Sequence, residues 1–241
     1  MIFSGFRIFH PPYQIQKLYD MKRSSNFLGL IITLLLGSYL SISGCNKDEF
    51  SGETGSVTDI DGNEYRTVKI GNQWWMAENL KTKHYRNGQP IILFPLSGYY
   101  EDSTSYYYTK YGVTEPYGNY YNWYAVIDSR NIAPDGWHVS TDEDWSILTD
   151  YLGGDSIAAE KLKDKNSWQG DPASNSSGFS ALPGGVGAAP GTVSYEGYWW
   201  SPGDQAMWCR RELDRDYNIV FRIVGSSTTN VFLSVRCVKD Y

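Results

Sequence analysis

The side chains of widest chemical reach in this 241-residue chain are three histidines, three cysteines and 27 acids, and their spacing decides which chemistries are open. His10, His84 and His138 lie far apart, so no histidine-rich zinc spacing exists, and His138, directly after Trp137, reads as a core or hydrogen-bonded residue. Asp59, Asp61 and Asn63 alternate as in the front of a calcium loop. That loop wants Gly at its sixth position and a bidentate Glu at its twelfth, whereas Gly62 is fourth and Ile70 twelfth, so Asp61-Gly62 reads as a tight hairpin turn. No G-x-S-x-G elbow, phosphate loop or dinucleotide fingerprint occurs, and no metal or cofactor is expected. Paired carboxylates of glycosidase type stay open, because their spacing is spatial.

Binding is the chemistry that remains. A sugar site would set an exposed Trp or Tyr face beside Asn, Asp and Arg side chains. The nominated residues are Trp199, Trp200, Asp204, Trp208 and Arg210, with Asp171 and Asn175 of the neighbouring long loop. Core packing is the competing role of the tryptophans, since they fall within strand pattern. A net charge of −6, with no Lys/Arg cluster, excludes a nucleic-acid groove.

The element that must position such a site is Gly136–Gly154. Trp137 to Ser140 read as a buried strand that runs into a helix start at Thr141, whose hydroxyl can take the backbone N–H of Asp144 while that carboxylate answers back. Asp142, Glu143 and Asp144 complement the positive helix end; Trp145, Leu148 and Leu152 form one helical face, and Gly153-Gly154 stops it. Asp155 or Ser156 caps a second helix in which Ile157, Ala158 and Leu162 pack, with Lys161, Lys163 and Lys165 in solvent.

Before this lie strands around Tyr65–Ile70 and Gln73–Leu80. Adjacent Trp74 and Trp75 point to opposite faces of the second, so one of them can be exposed. Residues 81–120 read as loop, and the tyrosines from Tyr99 to Tyr121 serve either as a flat contact surface or as rings packed across that loop. Residues 167–197 are dominated by Gly, Ser, Asn and Pro, with Phe179 and Leu182 as plugs. Strands at 197–201, 205–213, 218–224 and 230–238 follow as an antiparallel meander. The fold class is therefore α+β, an antiparallel sheet with two helices and long loops.

The N-terminal region carries an address. Lys22-Arg23, the apolar run 27–40 and Ile42-Ser43-Gly44-Cys45 resemble the signal peptide and lipobox of bacterial lipoproteins, which makes Cys45 the lipidated residue. Residues 1–20 read as a mis-assigned upstream extension, 21–44 as the signal peptide, 45–57 as a flexible tether and 58–241 as the domain. Asn46-Lys47-Asp48-Glu49 is similar to the surface-export signal of lipoproteins in the Bacteroidetes group, so an outer-membrane lipoprotein facing the cell surface is expected. With Cys45 acylated, Cys209 and Cys237 remain as a possible disulfide, which export allows and strand register leaves open.

The segments DIDGNEYRTVKIGNQWWMAENL (59–80), YGNYYNWYAV (117–126), APDGWHVSTDEDWSILTDYLGG (133–154), GFSALPGG (178–185), YWWS (198–201) and SVRCVKD (234–240) resemble the Fibrobacter succinogenes major paralogous domain family. That family is similar to C-type-lectin-like folds and to the formylglycine-generating-enzyme domain, which implies a C-type-lectin-like architecture with a ligand-bearing long loop near 168–198. The copper-thiolate strand of the latter resembles Met207 to Arg211, but its second thiolate would fall at Asp204. The Glu-Pro-Asn, Gln-Pro-Asp and Trp-Asn-Asp motifs of calcium-dependent lectins are missing from the sequence. The expected function is a lipid-anchored, non-catalytic binding or adhesion module, with a glycan or an envelope protein as partner; a structural role in the envelope is the alternative and a hydrolase the weaker one.

Overall fold

Alternation of exposed and buried side chains along Glu64–Ile70 makes this stretch the inner strand of a hairpin, β2, paired antiparallel with β1 (Thr54–Thr58) from Thr54↔Val68 to Thr58↔Glu64. Residues 54–57, read as tether from their composition, are therefore part of a sheet. The connection is a five-residue loop rather than a two-residue turn. The Asp59 carboxylate organises it, accepting from the backbone N–H groups of Asp61 and Asn63, both at 2.9 Å, and from the Tyr65 hydroxyl at 2.6 Å, while Gly62 takes φ 82°. This is a computed structural model; it describes residues 50–95, 103–109, 115–187, 194–203, 208–225 and 231–241, with Trp208 by its backbone only, within a unit that begins at Asp48.

After the turn at Gly71-Asn72 comes β3 (Gln73–Met76), where Trp75 is buried and Trp74 half-buried on the other face. Of the tyrosine-rich stretch, the described strand tyrosines pack as core, one of the two roles open to them from the sequence. β4 (Ile92–Leu93), β5 (Tyr106–Tyr108) and β6 (Tyr120–Tyr121) form a three-stranded sheet, and all five of these tyrosines are buried. Helix α1 (Trp123–Val126) follows, capped by Asn122, and β7 (Trp137–Val139) leads into α2 (Asp142–Leu152). Helix α2 has the expected capping box. Thr141 Oγ1 accepts from Asp144 N at 3.1 Å, Asp144 Oδ2 accepts from Thr141 N at 2.8 Å, and Gly153 closes the helix at φ 107°. Helix α3 (Asp155–Leu162) has Gly154 at its N-cap and no side-chain cap, so neither Asp155 nor Ser156 plays that part, and Ile157 is exposed.

The last four strands are β8 (Glu196–Trp200), β9 (Trp208–Asp214), β10 (Val220–Gly225) and β11 (Cys237–Lys239). The first three make the antiparallel meander read from the sequence, in the order β10-β9-β8. The fourth leaves it. β11 inserts between β3 and β7 to complete a five-stranded sheet β1-β2-β3-β11-β7, while Leu233 and Ser234 bridge to Tyr121 and Trp199. The described domain is thus α+β, mostly antiparallel, with β4–β5 a parallel pair and three helices.

Both faces of the five-stranded sheet are covered. Tyr65, Met76, Trp137, Val139 and Cys237 enter one apolar cluster; Val68, Trp75 and Val238 enter a second, with Trp145 and Leu148 of α2. In the second, Trp75, Trp145 and Phe179 pack with ring centroids 5.3–5.5 Å apart, and Trp199 joins at 6.0 Å from Trp145.

Two buried cations fasten the long loop to this frame. Arg236 donates to Asn79 Oδ1 (2.7 Å), Met76 O (2.9 Å), Phe179 O (2.6 Å) and Ser180 O (3.0 Å). Burial pushes its pKa down to about 9, which leaves it protonated at neutral pH. Lys163, read from the sequence as a solvent lysine, is wholly buried; its ammonium meets the Asp171 carboxylate and donates to Asp214 O at 2.8 Å, 5.0 Å from the Trp168 ring centre.

Candidate functional site

The residues nominated from the sequence do not assemble into a ligand face. Trp199 and Trp200 are 0% and 3% exposed, and their indole N–H groups donate to Asn79 Oδ1 at 2.9 Å and Tyr121 O at 2.7 Å, so they are core residues with their polar ends satisfied. Asp171 is spent on Lys163. Asn175, at φ 50°, holds the 175–180 turn by accepting from Ser180 N at 2.8 Å and donating to Ser180 Oγ at 2.9 Å. Arg210 lies over the Tyr198 ring, 4.8 Å from its centre, and pairs with Glu212 at 3.3 Å. Cys45, Asp204 and the Trp208 side chain lie outside the described residues.

Cys209 and Cys237 are unpaired. They sit on different sheets, Cys237 in the core and Cys209 donating to Asp142 Oδ1 at 3.3 Å. Burial pushes both thiols up, so neither is a nucleophile at neutral pH.

What the fold does bring together lies at the start of α2. Because Trp137 and Val139 enter one core, the residue between them faces the other side of the sheet, toward the helix. There His138 Nε2 lies 2.9 Å from Asp144 Oδ2, and Nδ1 lies 2.8 Å from Asp240 Oδ1. The register Val238↔His138 delivers Asp240, 102 residues away in sequence, to this spot. Asp144 Oδ1 accepts from Gln73 Nε2 at 3.3 Å and from the Tyr241 hydroxyl at 3.2 Å. His138, Asp144, Gln73 and Tyr241, with Asn72, Thr141, Glu143 and Ile147, line a hollow of about 550 Å³.

The site is electrostatically asymmetric. The Asp144 hydrogen bond, against the penalty of burial and aided by Asp240, raises the His138 pKa above its ordinary 6.5. Burial would raise the Asp144 carboxyl, but hydrogen bonds from His138 and Thr141 outweigh it and hold the group below the ordinary 3.8. An imidazolium donates to both carboxylates, whereas a neutral ring can donate to one. The His138 contribution to stability is complete below about pH 6.5 and is lost as pH rises through the raised folded value; that of Asp144 is complete above about pH 4 and is lost as pH falls through the lowered one. Comparing melting temperatures from pH 5 to 9 is expected to show an alkaline decline in the wild type that is flatter in His138→Gln; parallel curves would remove this role for His138.

Beside the hollow, Asp142 gathers two arginines that face each other across β9 and β10. Arg211 Nη2 donates to Asp142 Oδ1 at 2.7 Å, and Arg222 Nε donates to both oxygens at 2.8 Å. Burial would raise Asp142, yet these guanidiniums keep it lowered. From the sequence Asp142 is a helix-end acid; in the structure it also ties α2 to the meander.

Sequence reasoning missed Gln73, Asp240 and Tyr241, whose proximity is non-local, although the alternation around His138 already gave its direction. Neither a curated relative nor a solved structure matches the chain. The sequence profile of the Fibrobacter succinogenes major domain matches residues 68–239, from β2 through β11. With well over half of its length so matched, the chain belongs to the Fibrobacter succinogenes major domain family.

Proposed function

We propose that this protein is an exported, lipid-anchored binding module of C-type-lectin-like architecture that holds a glycan-sized ligand in the hollow at the start of α2. One observation carries the reading: Tyr241 is 85% exposed while its hydroxyl is tied to Asp144, so an aromatic face stands fixed at the edge of a cavity. A fixed ring loses little freedom on packing against the C–H face of a pyranose, and the Asn72 amide and Glu143 carboxylate beside it can hydrogen-bond hydroxyls.

The same geometry favours binding over turnover. Both nitrogens of His138 meet carboxylates, and the Thr141 hydroxyl donates to Asp144 at 2.6 Å rather than to the imidazole, so no nucleophile is paired with a base there. A glycosidase acid needs a raised pKa, and Asp144 is lowered. Glu212 is raised, by burial first, yet it is paired with Arg210 outside the hollow.

The test is a glycan array probed with purified protein, followed by titration of the best ligand against Tyr241→Ala. Affinity is expected to fall about tenfold or more, as loss of a stacking ring implies. Binding to no glycan, with reproducible co-purification of one envelope protein, would instead favour an assembly role. The exposed Ile147 and Tyr151 of α2 and Ile157 of α3 support that second reading.

A further inference from the structure

We infer that β10 is an interaction edge whose partner is the same strand of a second copy, joined about a two-fold axis at Ile223 into one continuous antiparallel sheet. This stands apart from the reading of the hollow. Along the far side of β8, Gly185 N donates to Glu196 O at 2.8 Å, Ser234 N to Tyr198 O at 3.1 Å and Trp200 N to Ser234 O at 3.1 Å, so that border of the meander is closed. At the other border β10 is outermost, and among the described residues its backbone groups meet no backbone partner but β9.

A row of unmatched N–H and C=O groups is a template for another strand, and soluble proteins blunt such a row with charges, proline or bulges. β10, Val-Phe-Arg-Ile-Val-Gly, has no proline, and its register with β9 runs without a break from Val220↔Leu213 to Gly225↔Trp208. Its one charge is already matched, because Arg222 Nε donates to both oxygens of Asp142 at 2.8 Å. Apolar surface remains on both sides of the strand, with Val224 39% exposed on one and Phe221 and Ile223 half-buried on the other. β1, an outer strand of the five-stranded sheet, differs: Thr-Gly-Ser-Val-Thr gives a partner a single apolar residue to cover.

The residues of β10 suit their own kind. A two-fold axis normal to the sheet pairs residues that point to the same side, and only with the axis at Arg222 or at Ile223 does most of the strand find a partner. An axis at Arg222 sets guanidinium against guanidinium, which is destabilising. An axis at Ile223 sets Arg222 against Val224, Ile223 against itself and Phe221 against Gly225, so an aromatic ring lies across the other copy's glycine at both ends of the joint and makes good its missing side chain. A joint of one short strand falls below the roughly 1,200–2,000 Å² of stable interfaces, so the dimer is weak, with a dissociation constant on the order of 10 μM.

Sedimentation velocity of the purified protein from about 1 to 100 μM tests this. The mass is expected to rise from one chain toward two, and Ile223→Lys, which plants a charge on the axis, to hold it at one chain with an unchanged melting temperature. Register is read by mild oxidation of cysteine variants: Ile223→Cys, opposite itself, should give a covalent dimer in high yield, whereas Phe221→Cys, opposite Gly225, should give no more than the wild type. Should Ile223→Lys melt early, the cysteine pair decides alone. One chain at every concentration would overturn the inference, even if the edge then proved to hold a strand of another protein. So would a dimer that Ile223→Lys leaves intact, or cross-linking as strong at 221 as at 223.

Discussion

Replacing Arg236 by methionine is expected to lower the melting temperature by roughly 10 °C, equivalent to about 4 kcal/mol. The fully buried guanidinium satisfies four acceptors: the backbone carbonyls of Met76, Phe179 and Ser180 and the Asn79 amide oxygen. It lies 4.4 Å from the centre of the Phe179 ring as well. Methionine fills similar volume and leaves those acceptors orphaned, each at a cost of about 1–3 kcal/mol that partial relaxation reduces. Lysine should rescue little, since one ammonium cannot span four acceptors set for a planar fork. Thermal denaturation of the two variants checks this, and a loss below about 1 kcal/mol for Arg236→Met would show that the network is not what holds the loop.

Asp171→Ala is expected to be nearly as damaging, by about 3–5 kcal/mol, because it strands the Lys163 ammonium in the interior with only carbonyl partners and an indole face. The informative comparison is the double variant Lys163→Met/Asp171→Leu. Removing both charges should recover most of the loss, as apolar replacements of buried pairs commonly do. Urea unfolding of the single and double variants gives the coupling. Were Asp171 a ligand contact, as the sequence led us to expect, the single variant would keep its stability and lose affinity instead.

These two cations show where sequence reading stops. Helix α2 was legible because everything that starts and ends it is local: Thr141 and Asp144 three residues apart, an apolar stripe, and Gly153 beyond. The sequence places Lys163 in solvent with Lys161 and Lys165, as charged side chains outside the apolar positions Ile157, Ala158 and Leu162. Its burial comes from the end of β9 and the segment before β10 closing over it, more than fifty residues later. Trp199 and Trp200, nominated as a ligand platform, fall within strand pattern and so read more readily as core, the role in which the structure shows them with their indole donors occupied. The departure of residues 231–239 from the meander follows from β11 filling the gap between β3 and β7, a pairing that no turn residue announces. The hollow was hidden for the same reason, since β3, β7, α2 and the residues after β11 each supply part of it.

Under the proposed export to an oxidising space, the two free thiols among the described residues impose a race on maturation. Until Cys209 and Cys237 are shut away, either can couple to a thiol on another molecule; Cys237 owes its shelter to the seating of β11 between β3 and β7. Closure of the central sheet thus protects Cys237, while Cys209 depends on the docking of the meander against Asp142. A variant slow to seat β11 would betray itself as covalent dimers long before it lost any binding.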